Sequence, residues 1–171
     1  MMAELIAFFS RRDENYVNGV LKMLDKGNTE TAAEILQKLT GADLFQIVPA
    51  RAYPKDYREC TALAKEEQKR DARPKILNWP ASLDRYDTVY LGYPNYWGTM
   101  PMTVFTFLEQ RDFTGKTICP FCTHEGSGLG SSLADIKKLC PGAKVEEGLA
   151  IRGGTVGQCR DLLEAWLTKG M

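Results

Sequence analysis

Short apolar segments alternate along the chain with longer segments in which apolar residues recur every three or four positions. The short segments predict buried strands, and the longer ones predict amphipathic helices. The predicted strands are residues 3–9, 44–48, 87–92, 116–122 and 144–151, and the predicted helices are residues 29–39, 56–70, 104–109, 131–139 and 155–167. This alternation predicts an α/β fold in which a five-stranded parallel sheet lies between two layers of helices.

Composition and charge narrow the class of protein. The 171 residues predict one domain over residues 1–171, and 22 basic residues balance 22 acidic ones. A neutral chain argues against nucleic-acid binding, and its apolar runs are too short to span a membrane. The N-terminus Met1-Met2-Ala3-Glu4 lacks the pattern of a signal peptide. The odd number of cysteines, five, indicates reduced thiols. We therefore expect a cytoplasmic protein that binds neither nucleic acid nor membranes.

The segments that follow the first, third and fourth strands are the places to look for a ligand, because open parallel sheets bind ligands beyond the carboxyl ends of their strands. Ser10 follows the first strand, and Gly27-Asn28-Thr29 opens the next helix after an unusually long connection, residues 11–26. The N-terminus of a helix favours a phosphate, yet Asn28 and Thr29 are also ordinary helix caps. Both interpretations stay open. Neither dinucleotide-binding nor P-loop glycine patterns occur here.

The other two segments are unusual in composition. Residues 92–101, after the third strand, hold three aromatic side chains, two prolines and no charge. They offer a flat face for a planar ring, or alternatively pack on the next helix or at a subunit interface. Residues 123–132, after the fourth strand, are rich in glycine and present backbone donors to a polar ring edge or a second phosphate. The alternative is a loop that its glycines make flexible.

Two further signals carry less weight. Cys119 and Cys122 form a C-x-x-C pair, but it lies within a predicted strand, where positions three apart point to opposite faces. A redox or zinc role is therefore disfavoured against buried, inert thiols. His124 is the only histidine, and no G-x-S-x-G nucleophile motif accompanies it, which argues against hydrolysis.

Together the three segments resemble the flavodoxin family, over nearly the whole chain and in the family's order of parts. Phe8-Phe9-Ser10 followed by Gly27-Asn28-Thr29 is similar to the family's phosphate loop split by an insertion, as in a subgroup with a longer first loop. Tyr93-Pro94-Asn95-Tyr96-Trp97-Gly98 resembles the aromatic flavin loop, and Pro120 to Gly128 resembles the second flavin loop. The resemblance implies a three-layer, doubly wound fold of strand order 2-1-3-4-5 that binds FMN at its switch point.

The resemblance also implies roles for individual residues. Ser10, Gly27, Asn28 and Thr29 would hold the phosphate with Arg11 beside them, and Tyr96 or Trp97 would stack on the flavin ring. The Gly98 carbonyl would turn to accept a hydrogen bond from the reduced ring, and Thr123 to Gly128 would border its pyrimidine edge. The implied cofactor-binding set is Ser10, Arg11, Gly27, Asn28, Thr29, Pro94, Asn95, Tyr96, Trp97, Gly98, Thr123, His124, Glu125, Gly126 and Gly128.

Three functions agree with these features. The leading expectation is a low-potential FMN electron carrier, a monomer or weak dimer that exchanges electrons with a reductase and an acceptor protein. The neutral charge departs from the acidic surface usual in such carriers, and residues 11–26 could cover the site as a lid. Both features motivate the alternative, an FMN-dependent NAD(P)H oxidoreductase acting on quinone-type acceptors. The third is a binding domain that has lost its cofactor, against which the intact aromatic and glycine-rich loops count.

Overall fold

A central parallel sheet with helices on both faces organises the chain. The computed structural model describes residues 3–169. The strands are β1 (Ala3–Phe8), β2 (Asp13–Val17), β3 (Val20–Leu24), β4 (Asp43–Gln46), β5 (Tyr86–Pro94), β6 (Thr117–His124), β7 (Lys144–Val145) and β8 (Leu149–Arg152). The helices are α1 (Asn28–Thr40), α2 (Tyr57–Lys69), α3 (Met102–Glu109), α4 (Ser132–Leu139), a 3₁₀ helix (Gly153–Gln158) and α5 (Arg160–Lys169).

The order of strands in the sheet confirms the predicted order 2-1-3-4-5. The sheet runs β4-β1-β5-β6-β7, and all of its pairings are parallel. The fifth predicted strand differs in detail, because β7 and β8 are two short strands that both pair with β6. Between them lies Gly148, where a Cβ atom would come within 3.1 Å of Leu129 and Leu133. The chain therefore leaves the sheet edge to pack against α4 and then returns.

Side chains alternate between two apolar clusters, one on each face of the sheet. Ile6 of β1 packs with Leu36 of α1 and Leu163 of α5, whereas Leu5 packs on the other face with Val104 of α3 and Ile136 of α4. Each of these side chains is fully or almost fully buried. Successive side chains of a strand point to opposite faces of the sheet, and side chains three or four residues apart in a helix share one face. The sheet can therefore pack against helices on both sides, which gives three layers.

The cysteine pair behaves as the strand assignment predicts. Cys119 packs against one apolar cluster and Cys122 lies in the other, so their thiols are on opposite faces of the sheet. All five cysteines are free, and burial raises the pKa of both Cys119 and Cys122 to about 12. Both thiols therefore stay protonated at neutral pH, and their positions on opposite faces keep them from acting as a pair.

Residues 11–26, expected as a long connection, contain a β-hairpin. Strands β2 and β3 pair antiparallel, with Val17 opposite Val20. Asn18 and Gly19 form the turn with φ angles of 55° and 79°, the positive values that a two-residue type I′ hairpin requires. The hairpin forms a two-stranded sheet of its own, separate from the central sheet.

The last predicted helix is also divided. The sequence predicts one helix over residues 155–167, but the structure has a 3₁₀ helix that ends at Gln158, with α5 beginning at Arg160. Gly153, Gly154 and Gly157 lie in that segment, and glycine lowers the stability of an α-helix. None of the helices in residues 3–169 has the length and apolar character needed to cross a membrane.

Candidate functional site

The ends of β1, β5 and β6 meet at one edge of the sheet, around a pocket of about 530 Å³. Its walls come from the start of α1, from the aromatic loop after β5 and from the loop after β6. The pocket is lined by Arg11, Asn15, Tyr16, Asn28, Thr29, Tyr57, Cys60, Thr61, Ala64, Pro94, Asn95, Tyr96, Trp97, Gly98, Thr123, His124, Glu125 and Ser127. A pocket of this size can hold a small-molecule cofactor.

The N-terminus of α1 is capped from outside the helix. Gly27 is the N-cap residue and provides no side chain, while the Ser10 hydroxyl accepts a hydrogen bond from the Glu30 amide at 3.0 Å. A Cβ atom on Gly27 would lie 2.2 Å from Ser10 Oγ, so only glycine fits there. Asn28 and Thr29 therefore do not cap the helix with their side chains. They belong to its first turn, where backbone N–H groups point out of the helix and attract anions.

Thr29 and Thr123 tie α1 to the end of β6. Their hydroxyls lie 2.8 Å apart, and both side chains are buried. The helix N-terminus therefore has a fixed position relative to the loop after β6.

The aromatic loop ends in a tight turn over α2. Tyr96 and Thr99 pair across it, and Trp97 and Gly98 occupy its corners with φ angles of 54° and 87°. The Asn95 side chain accepts the Gly98 amide at 2.9 Å. Trp97 Nε1 donates to the Thr61 carbonyl of α2 at 2.9 Å, and this anchor holds its half-exposed ring at the pocket.

Tyr96 forms a wall of the pocket. Its ring contacts Phe9 and Tyr53 edge to face, with centroids 5.8 and 6.1 Å away, and its hydroxyl lies 4.0 Å from Cys60 Sγ. Burial raises the pKa of Tyr96 well above its usual value, so the hydroxyl stays protonated and the wall stays uncharged. Tyr53 is itself held by its hydrogen bond to the buried Glu67, at 2.5 Å.

The Gly98 carbonyl faces the glycine-rich loop. It accepts hydrogen bonds from the Ser131 amide at 2.8 Å and the Ser131 hydroxyl at 3.3 Å. A Cβ atom on Gly130 would lie 2.0 Å from this carbonyl oxygen. The two loops are therefore in direct backbone contact, which only a glycine at position 130 permits.

Two polar atoms in this pocket are buried without a hydrogen-bond partner. They are His124 Nδ1 and Glu125 Oε1, and residues 3–169 contain no other such side-chain atoms. Burial and the nearby Arg152 lower the pKa of His124, so its imidazole is neutral at pH 7. Buried polar atoms are costly when unpaired, so both atoms indicate a polar ligand.

The structure brings most of the predicted site residues together. Eleven line the pocket: Arg11, Asn28, Thr29, Pro94, Asn95, Tyr96, Trp97, Gly98, Thr123, His124 and Glu125. The remaining four, Ser10, Gly27, Gly126 and Gly128, belong to the same loops but do not line the pocket. Ser10 and Gly27 support the start of α1, and the Gly128 carbonyl accepts the Asn95 side-chain amide at 2.8 Å.

The sequence predicted that residues 11–26 could cover the site, but it did not predict which side chains of that segment and of α2 line the pocket. Asn15 and Tyr16 come from β2. Ser127 also lines the pocket, and it lies within the segment from Thr123 to Gly128 that the resemblance placed there. The α2 wall consists of Tyr57, Cys60, Thr61 and Ala64. Their spacing of three, one and three residues places them on one face of the helix, which was the available signal. No three His, Cys, Asp or Glu side chains within residues 3–169 are grouped so as to hold a metal ion.

This fold, with a pocket at the carboxyl edge of its sheet, is that of the flavodoxin-like flavoproteins. The flavodoxin family model matches residues 20–170, and the chain therefore belongs to the flavodoxin family. That membership confirms the resemblance to the family, while the subgroup with a longer first loop stays a prediction.

Solved structures agree with this assignment. A candidate flavoprotein from Bacteroides eggerthii is 28% identical with a TM-score of 0.70, covering 96% of this chain and 99% of that one. A second, from Bacteroides uniformis, is 25% identical with a TM-score of 0.77 and covers 98% of both chains. A flavoprotein from Lactobacillus acidophilus, in complex with FMN, is 18% identical with a TM-score of 0.69, covering 96% and 99%. Curated protein sequences give no significant match.

Proposed function

We propose that this protein binds FMN in the pocket at the carboxyl edge of the sheet and transfers electrons through it. The observation that supports this proposal is the pocket itself, where a helix N-terminus, an aromatic wall and two unpaired polar atoms surround one space of about 530 Å³. Each feature suits one part of a phosphorylated planar ring: the helix N-terminus suits the phosphate, the aromatic wall suits the ring face, and the unpaired polar atoms suit a polar ring edge. The FMN complex of the Lactobacillus acidophilus flavoprotein shows that a protein of this fold binds that cofactor.

The residues present fit each part of FMN. The first-turn amides of α1 at Asn28 and Thr29 suit the phosphate, since the helix dipole and free N–H groups attract an anion. Tyr96 and Trp97 provide aromatic surface for the ring. His124 Nδ1 and Glu125 Oε1 supply a hydrogen-bonding group each, and a polar ligand edge would pair them.

Within this site the protein provides orientation and electrostatics. FMN, when bound, would supply the redox chemistry. The residues would hold the ring between an uncharged aromatic wall and the loop after β6, and the buried Thr29–Thr123 pair fixes the distance from this loop to the start of α1, where the phosphate would bind. Electron transfer to a partner protein needs no further substrate pocket, and we therefore favour a carrier.

The visible spectrum and a flavin titration test cofactor binding. We expect the purified protein to be yellow, or its apoprotein to quench FMN fluorescence with a sharp end point at one flavin per chain. Glu164→Ala, an exposed position on α5 that is not among the pocket-lining residues, serves as a control and should bind FMN like the wild type. An apoprotein that fails to quench FMN even at high concentration would show that FMN is not its ligand.

A second candidate is an FMN-dependent NAD(P)H oxidoreductase for quinone-type acceptors. The walls from the hairpin and α2 favour it, because Tyr16, Tyr57 and Ala64 extend the pocket beyond the three flavin loops. Those residues could enclose a second, apolar molecule. Steady-state oxidation of NADH and NADPH with a quinone separates the two functions, since a carrier alone should show negligible turnover.

A further inference from the structure

A second cavity, of about 420 Å³, lies on the face of the sheet that packs against α1 and α5. Its floor comes from β1, β5 and β6, and its walls come from the end of α5, from β7 and from the two residues after β7. None of its residues lines the pocket at the carboxyl edge of the sheet. Its floor residues belong to the first halves of their strands, so the two cavities lie at opposite ends of the sheet.

The floor of this cavity contains a polar row that crosses four neighbouring strands. The strand register aligns Glu4 with Thr88, Thr88 with Thr117, and Thr117 with Lys144. Further along the same face, Ile6 is fully buried and packs with α1 and α5. Because threonine side chains are short and polar, the apolar faces of the helices do not close over this row, and a cavity remains.

Two aromatic rings bound the cavity beside this row. Tyr90 and Trp166 meet edge to face with centroids 6.0 Å apart, and Trp166 Nε1 donates to the Glu147 carbonyl at 2.9 Å. The Tyr90 hydroxyl donates to Glu4 Oε2 at 3.2 Å, which holds the carboxylate near the rings. Aromatic faces and carboxylates both attract cations.

The charges of the cavity leave one carboxylate without a basic partner. Lys144 pairs with Glu146 at 3.0 Å, and Lys169 Nζ lies 3.9 Å from a Glu147 carboxylate oxygen. Both lysine side chains are 74% exposed, so their ammonium groups lie at the rim. Glu4 forms no ion pair with a basic side chain of residues 3–169. Three carboxylates therefore face two ammonium groups, and the surplus negative charge is at Glu4.

The pKa values of two groups on the floor agree with a negative potential in the cavity. Burial, and after it the carboxylates of Glu146 and Glu4, raise the pKa of Cys119 to about 12. Burial and Glu4 also raise the pKa of Tyr90 above its usual value. The thiol and the phenol therefore stay uncharged at neutral pH, and neither adds a positive or a negative charge to the floor.

We propose that this cavity binds a small organic cation, namely a primary ammonium that carries an apolar or aromatic body. The ammonium would pair with Glu4, and the body would lie against Tyr90 and Trp166. Cavities of this volume hold small molecules. A metal ion is disfavoured, because residues 3–169 contain no group of three His, Cys, Asp or Glu side chains that could hold one. The proposal is independent of FMN binding at the other end of the sheet.

An NMR titration with 2-phenylethylammonium and with 2-phenylethanol tests the proposal, since the alcohol has nearly the same shape without the charge. We expect the ammonium to shift the indole N–H signal of Trp166 with saturation and a dissociation constant of about 1 mM or less. The alcohol should bind at least ~10-fold more weakly. No saturable shift up to about 50 mM ammonium, or equal affinity for the two probes, overturns the proposal. A shift at Trp97 without one at Trp166 overturns it too, because the probe would then occupy the other pocket.

Glu4→Gln tests the role of the carboxylate. The variant keeps an acceptor for the Tyr90 hydroxyl and removes the charge, so it should weaken ammonium binding about 10-fold and leave the alcohol unchanged. Glu164→Gln, an exposed carboxylate on α5 that does not line the cavity, is the matched control and should bind both probes like the wild type. Unchanged ammonium affinity in Glu4→Gln contradicts the proposal. If Glu4→Gln does not fold, the comparison of the two probes on the wild type decides.

Discussion

Gly130 is the residue on which the contact between the aromatic loop after β5 and the glycine-rich loop after β6 depends. Its φ angle of 56° is in the left-handed region, and its missing Cβ leaves room for the Gly98 carbonyl. Gly130→Ala should destabilise the protein by the ~1–2 kcal/mol cost of that conformation plus about 1–3 kcal/mol for the backbone clash. It should also weaken FMN binding, because the turn at Trp97 must move. Urea denaturation and flavin titration measure the two effects.

Gly128→Ala is the matched control for this substitution. Its φ angle is 66°, but a Cβ atom there would meet nothing within 4 Å. It should therefore show only the conformational cost of about 1–2 kcal/mol. Equal losses in the two variants would mean that the contact between Gly130 and Gly98 contributes nothing.

Individual site residues could be predicted from the sequence where they lie at the end of a predicted strand or in the loop that follows it. His124 and Glu125 stand at the end of a predicted strand, and the sequence placed both at the site. Cys60 and Ala64 were not predicted, because α2 is rich in charged residues and its pocket-facing stripe is small and apolar. Only the tertiary approach of α2 to the aromatic turn, through Trp97 and Thr61, makes that stripe part of the pocket.

At the scale of elements, the long apolar strands and periodic helices were predictable and the short elements were not. Asn18-Gly19 is a strong signal for a two-residue hairpin turn, yet the flanking strands lie outside the central sheet and bury little. Their pattern therefore lacks the apolar run of a core strand. The division of the fifth strand likewise depends on Gly148, whose close contacts are with Leu129 and Leu133 of a distant segment. The division of the last helix occurs near Gly157, which lies in the 3₁₀ helix.

The link between α1 and β6 leads to a prediction for a pair of residues. Thr29→Val leaves the buried Thr123 hydroxyl unpaired, and Thr123→Val does the same to Thr29. Each single variant should lose about 1–3 kcal/mol of stability, whereas the double variant, which removes both hydroxyls, should lose less than the sum. Urea denaturation of all four proteins completes the cycle. Additive losses would show that the hydroxyls do not interact.

At the scale of the whole molecule, the order of the sheet was predictable because right-handed crossovers leave few ways to connect alternating strands and helices. The same order fixes which loops meet, and so the position of the pocket. That residues 11–26 could cover the pocket was expected from their length, but the contacts that enclose it were not predictable. The pocket is enclosed only when the hairpin contacts both α2 and Glu125. The contact between Glu14 and Tyr57 joins residues 43 positions apart, and the contact between Gly19 and Glu125 joins residues 106 positions apart.

The charge distribution around the pocket predicts the redox behaviour of the loaded protein. Arg11 is the only Lys or Arg side chain among the pocket-lining residues of the described chain, and its nitrogens donate to the carbonyls of Glu14, Pro54 and Lys55. The remaining walls are aromatic or neutral, apart from the Glu125 carboxylate. Arg152 and Lys65 stand beside His124 and Trp97 but do not line the pocket. Among the lining residues of the described chain, a ring that gains negative charge therefore finds no free cation, which disfavours the charged form. The second electron should therefore add at a lower potential than in free FMN.

Dithionite titration in the presence of reference dyes measures that potential. Thr61→Lys places an ammonium on the pocket face of α2, and it should raise the potential of the second electron, because an opposite charge nearby stabilises the reduced ring. Thr61→Gln, of similar length but neutral, should leave the potential close to that of the wild type. A wild-type potential at or above that of free FMN, or equal potentials in the two variants, would contradict the view that the site lacks compensating charge.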